Sequence, residues 1–279
     1  MLPNLTFHLL IMPFDLLKSL TDIQVLLVYP ILACSVLLLL TLFFRQFREP
    51  LGLAHYDSDI VDTATQNTMS GAYVVMGFVL VLAMTTVSDL ENSVSQEATA
   101  IKSLERLLVM DTSPIALKAR EHLIQYTESV LKDEWPGLSE GKINPQTSAE
   151  LRQLFLSLDA FNPKTPKDTV LYGKILEAAD KTAELRNSRN YNIQSNLPGT
   201  FYIVSFVSLL GVMIICALRL VEATPMRSIA LTVQIIMLTL MFSAIVIIDL
   251  PYIGETVTSP DAISSALNSM KARMLPVPQ

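Results

Sequence analysis

The sequence predicts an all-α membrane protein with four transmembrane helices and a helical, water-exposed insert between the second and third. Three observations predict it. Charged residues, only 16% of the 279, vanish from four windows of roughly 20 residues, the length a helix needs to cross a hydrocarbon core. Between the second and third windows lies a long polar segment whose apolar residues recur every seven positions. No stretch alternates with the two-residue period of a half-buried strand.

Residues 1–23 form an N-terminal segment that lies along the membrane surface. Phe7, Leu9, Leu10, Ile11, Phe14, Leu16 and Leu17 supply an apolar face, while Pro3, Pro13, Asp15 and a late Lys18 are unlike a signal peptide. Residues 24–88 hold the first two spans. The first, 25–44, is uncharged and stops at Arg45; the second, 70–87, is uncharged and stops near Asp89. Residues 199–249 hold the other two. The third, 200–218, ends at Arg219, and the fourth, 229–248, carries Gln234 and ends at Asp249. Tyr29, Phe43, Phe44, Tyr73, Phe201, Tyr202 and Tyr252 sit near span ends, where amphipathic rings favour the interface. Residues 250–279 are a C-terminal tail.

Four spans place both termini on the side of the long insert. The short connections opposite carry Arg45, Arg48, Arg219 and Arg227, against Lys18, Lys271 and Arg273 near the termini. That balance does not set the orientation.

The insert, 89–198, reads as helices. Val87, Val94, Ile101 and Leu108 form a seam, with Leu90 and Leu104 beside it. No Gly or Pro separates the seam from the second span, so one helix runs from about residue 70 to 110, roughly 60 Å long. Asp111-Thr-Ser113-Pro114 stops it and starts the next, with Ser113 as cap and Pro114 at the first helical position. That helix extends to Trp135 and ends at Pro136-Gly137. Further helices are expected over 148–160 and 167–195, separated by Asn162-Pro-Lys-Thr-Pro166, with a break at Pro198-Gly199 before the third span. Glu97 falls on the seam, where a carboxylate needs a partner. A basic residue of a neighbouring helix, such as Arg189, is expected there; the other reading is a permeation or gating role.

Enzyme chemistry finds little support. His8, His55 and His122 are far apart in sequence, and no phosphate-binding Gly-rich loop, nucleophile elbow or HExxH is present. Asp57-Ser-Asp59 with Asp62 lacks the glycine and terminal glutamate of a calcium loop. Cys34 and Cys216 lie within apolar spans as small hydrophobes. The net charge of −6, with no clustered basic face, argues against nucleic acid. No cofactor, metal site or enzyme activity is expected. A transporter is disfavoured, because the spans show no interior ionisable group, broken helix or internal repeat.

Ser70-Gly-Ala-Tyr-Val-Val-Met-Gly-Phe-Val-Leu-Val-Leu-Ala, then a long helix, then Tyr126 and Asp133-Glu-Trp-Pro136, resembles the bestrophin-like family of bacterial membrane proteins. So do Asn196-Leu-Pro198 and the post-span linker Asp249-Leu-Pro251-Tyr252-Ile-Gly254. The resemblance covers residues 25–265. It implies a multi-pass protein of the bacterial inner membrane, with insert and termini cytoplasmic. It further implies a homo-oligomer, a pentamer in bestrophins, conducting an inorganic ion through a central pore. Mapped through Gly77-Phe78, the family's pore-lining positions are Ser70, Val74 and Phe78. Residues i, i+4 and i+8 share one helix face, so copies around an axis would stack them as rings, and apolar rings gate by dewetting. The same stripe, with Gly71 and Gly77, also suits an ordinary helix contact in a membrane. The resemblance departs at Glu255-Thr-Val-Thr, which lacks the acids of a calcium site, and at Thr85-Thr-Val-Ser, which stands where an Arg-Trp-Trp stretch is found. The alternative function is a non-conducting scaffold or signalling protein whose seam and insert bind partners.

Overall fold

The computed structural model describes residues 20–47, 50, 58–138, 142–191, 197–249 and 258–274. Among them the regular structure is entirely helical. The chain divides into two compact units. One comprises residues 1–86 and 195–256, the other 87–194 and 257–279.

The first unit is built on four helices long and apolar enough to cross a membrane, as expected. α1 (Asp22–Gln46) opens with a reciprocal cap in which the Thr21 hydroxyl accepts from the Gln24 amide and the Gln24 side chain accepts from the Thr21 amide. Val25, Tyr29, Ala33 and Leu37 recur at four-residue spacing and form its buried face. α2 (Ser58–Val109) contributes Met69, Ala72, Met76, Val79 and Ala83 to the same core. α7 (Gly199–Leu220) starts directly after Pro198, and α8 (Pro225–Ile248) has its proline in the first turn, where a missing amide hydrogen costs nothing. Both α7 and α8 pack against α1 and against each other. Thr41, Thr232, Thr239 and Ser243 turn their hydroxyls back to carbonyls four residues earlier, which satisfies them without an outside partner. Tyr73 donates to the carbonyl of Gln234 at 3.1 Å and ties α2 to α8.

α2 is 52 residues long, about 78 Å at the standard rise. It starts twelve residues before the expected residue 70, because polar residues from Ser58 onward continue the helix below the apolar window. Hydropathy marks the membrane, not the end of the helix.

The second unit holds the remainder of α2, then α3 (Pro114–Ser129), α4 (Trp135–Leu138), α5 (Pro145–Asp159), α6 (Pro166–Tyr191) and α9 (Asp261–Met274). Ser113 caps α3 by accepting from the Ala116 amide at 3.2 Å, with Pro114 in the first turn, as the sequence predicts. Asn144 caps α5 in the same way at 2.8 Å. Ile101, Leu104 and Leu108 are fully buried among Leu123, Tyr126, Leu154, Ile175 and Ile263. The seam is consumed inside the protomer.

Two expectations are corrected here. The helix after Ser113 does not end at Pro136. It widens into a π turn over Val130–Glu134 and continues through Pro136 to Leu138. A widened turn makes room for a proline ring that would collide with a carbonyl in a tight α turn. The chain closes back immediately after: Lys142 donates to the Gly137 carbonyl at 3.1 Å, and a Cβ at Gly137 would stand 3.3 Å from the Lys142 carbonyl oxygen. In the C-terminal stretch, for which the sequence offered no element, α9 buries Ile263, Ala266, Leu267 and Met270 in the core of the second unit.

Candidate functional site

The face of α2 singled out by the sequence points away from its own protomer. Val74 is 72% exposed and Phe78 61% exposed, while Met76, between them in sequence, is 0% exposed. Ser70 is exposed as well. The three predicted lining residues therefore share one uncovered face, and the opposite face meets the bundle. That face carries exposed Asn67 one turn before Ser70, Val81 one turn after Phe78 and Thr85 two turns after it. The result is a short apolar band flanked by uncharged polar groups. Small residues do not bring α2 against its neighbours as a helix contact would: a Cβ at Gly71 would meet nothing, and one at Gly77 would meet the end of Met241 at 4.0 Å.

Of the post-span linker, Asp249 closes α8 and is buried. It accepts from the Leu197 amide at 3.0 Å and from the Tyr202 hydroxyl, joining the end of the fourth span to the start of the third. Pro251, Tyr252 and Gly254 lie outside the described residues, as do the interfacial residues 1–19, His8 and His55.

Two arginines answer for one acid at the opposite end of this unit. Asp62, near the start of α2, pairs with Arg219 in the last turn of α7 and, at 3.3 Å, with Arg227 in the first turn of α8. Arg219 is 5% exposed, so its charge has little water to solvate it and depends on that carboxylate.

In the second unit Glu97 takes the partner expected of it. Arg189 donates to Glu97 through Nε at 2.8 Å and through Nη2 at 3.3 Å, and both side chains are completely buried. The sequence reading did not find the rest of the cluster. Arg189 Nη2 also donates to Glu134 at 2.8 Å, and Glu134 receives both Nε and Nη2 of Arg186. Arg186 reaches Ser148 at 3.0 Å, Tyr126 donates to Glu97 at 3.2 Å, and the Arg189 guanidinium lies 5.3 Å above the Trp135 ring. Two carboxylates and two guanidiniums cancel in charge, and the helices α2, α3, α5 and α6 all contribute. The π turn carries Glu134 into the cluster, and no periodicity in the sequence signals such a turn. Burial, then the neighbouring Glu97 charge, pushes the Tyr126 phenol well above its ordinary range. Burial alone would lower the Arg189 guanidinium, but the Glu97 charge outweighs it and the net shift is upward.

Ion pairs also hold α9. Arg273 reaches Glu105 at 3.1 Å, where Arg120 also donates at 2.9 Å, and Lys271 pairs with Glu128. The Lys271 hydrogen bond holds the Glu128 carboxyl below the usual carboxylate range.

The chain matches the family model of the bestrophin-like domain over residues 31–263. Its fold is similar to that of a membrane protein solved by crystallography, with a TM-score of 0.63 over 91% of this chain and 97% of that one at 11% identity. No curated protein matches it in sequence. Four membrane-crossing helices, a long second helix that leaves the apolar window without a break, and a domain match spanning most of the sequence make this chain a member of the bestrophin-like family of membrane proteins.

Proposed function

We propose that the protein is an ion channel in which several copies, five by family analogy, surround a central axis lined by α2, with Ser70, Val74 and Phe78 turned inward. The observation that carries this reading is the exposure of Val74 and Phe78 on a helix whose other side is fully packed. An apolar pair left uncovered by its own subunit needs either lipid or other copies. Polar Asn67 and Ser70 on the same face are poor lipid contacts and good neighbours for water, while Thr85 returns its hydroxyl to the Val81 carbonyl at 2.9 Å. Copies sharing this face would stack an apolar ring of Val74 and Phe78 between polar vestibules, a constriction that controls flow by wetting and dewetting. In the scaffold alternative the heptad seam and the insert bind partners; of these the seam has no surface to offer, since Ile101 and Leu108 are buried in the protomer. By family analogy the second unit and both termini belong in the cytoplasm and the spans in the bacterial inner membrane.

The test is ion flux in vesicles reconstituted with the full chain. The Val74→Ala/Phe78→Ala double variant widens the apolar ring, and a several-fold increase in flux over the native chain is expected. Equal flux from the two proteins would remove α2 from the pore, and no flux from the native chain would remove the channel.

A further inference from the structure

We infer that Asp62 is a positioning residue for gating: through Arg219 and Arg227 it holds the outer end of α2 back against its own bundle and keeps the pore mouth wide. The inference rests on the channel reading above. Twelve residues separate Asp62 from Val74 and sixteen separate it from Phe78, which places it about 120° and about 160° around the helix from them. Asp62 therefore lies off the face of Val74 and Phe78, though Ser70, eight residues away, stands only about 80° from it. Its two carboxylate oxygens are divided between two helices: Oδ1 faces Arg219 of α7, and Oδ2 accepts from Arg227 of α8. One acid thus bridges three span ends, and two of them belong to the hairpin that the connection after Arg219 closes.

The three partners are unequally exposed. Arg219 is nearly sheathed at 5%, whereas the side chains of Asp62 and Arg227 are about half exposed, at 45% and 50%. The buried arginine needs a counter-charge, and in this arrangement the counter-charge is on the lining helix. Any inward tilt of the outer end of α2 would draw Asp62 away and leave Arg219 uncompensated. The pair therefore opposes closure at that end, and its energetic cost falls on the narrowed state. Other tethers of α2 in this unit, such as Tyr73 to the Gln234 carbonyl, sit deeper in the span and do not restrain the mouth.

The experiment is single-channel recording of the full chain in planar bilayers, comparing native protein with Asp62→Asn, Asp62→Glu and Arg227→Gln. Removing the charge of Asp62 is expected to lower open probability by at least about three-fold, the equilibrium shift that one such ion pair supports, because every copy loses its own, with unitary conductance unchanged. Arg227→Gln, on an exposed arm, is expected to lower it less and in the same direction, and Asp62→Glu to restore most of it. Unchanged open probability in both Asp62→Asn and Arg227→Gln, or a change in unitary conductance without a change in gating, overturns the inference while leaving the channel in place. Silence of the native chain overturns the channel reading itself. If Asp62→Asn does not assemble, Arg227→Gln alone decides, because its side chain is half exposed and dispensable for packing.

Discussion

At Arg189 one guanidinium satisfies two carboxylates with no access to water, and the consequences of removing it differ from those of removing either acid. Arg189→Met leaves Glu97 buried with only the Tyr126 hydroxyl, and the loss of stability is expected to be about 3–5 kcal/mol. Glu97→Gln removes a charge but keeps an acceptor, and Arg189 still has Glu134, so the loss is expected to be smaller. A Glu97→Gln/Arg189→Met double variant removes both charges of one pair. It should be less unstable than the sum of the two single changes, because Arg189→Met alone strands the Glu97 charge and the double does not. Thermal unfolding in detergent gives all three values; strict additivity would mean that the cluster is not a coupled unit. The Glu97–Arg189 pair was legible in the sequence because a carboxylate on an apolar seam demands a cation. Glu134 and Arg186 were not, because nothing in local spacing says that a π turn will swing one into reach of the other.

Among the elements, α9 is held by apolar burial on one side and by ion pairs at its C-terminal end, and the two respond differently to solution conditions. The folded Glu128 carboxyl is held below its ordinary range by Lys271. Its contribution to docking is therefore full above the ordinary carboxylate range and fades as the pH falls through the depressed value. Amide protection in α9, taken relative to the intrinsic exchange rate at each pH, should fall in acid relative to neutral pH, and Glu128→Gln should reduce that fall; an identical pH response in the variant would exclude Glu128 as its source. The α2 seam makes a different prediction. Leu104 is fully buried, and Leu104→Ala should cost about 2–5 kcal/mol, read by the same unfolding assay. A seam that served a partner protein instead would tolerate the change. α9 itself was hidden in the sequence, since a helix of 14 residues with four buried positions resembles any polar tail until the core it fills is known.

For the whole molecule the decisive question is what covers the outer face of α2. With Cys34 and Cys216 replaced by alanine, a single Val74→Cys variant is expected to form disulfide-linked dimers under oxidation in the membrane, because copies around an axis bring equivalent positions together. A chain in which that face meets lipid would remain monomeric on the same gel. Cysteines at Ile31 of α1 or Val207 of α7, uncovered in the protomer but on helices outside the proposed lining, serve as controls that should not cross-link.

Local composition and period were enough to establish the four spans, their order, the helical insert and the cap that separates α2 from α3. The signals are the absence of charge over a membrane's thickness, a seven-residue repeat, and a serine before a proline. The α2 stripe was visible at the same level. Packing alone settled that the stripe is uncovered while the seam is buried, since both are apolar rows on one helix and differ only in what lies against them. The same holds for charges. Which acid meets which arginine depends on bringing together residues as distant as Glu134 and Arg186, and the low dielectric of a packed interior makes such pairings obligatory only after the chain has folded.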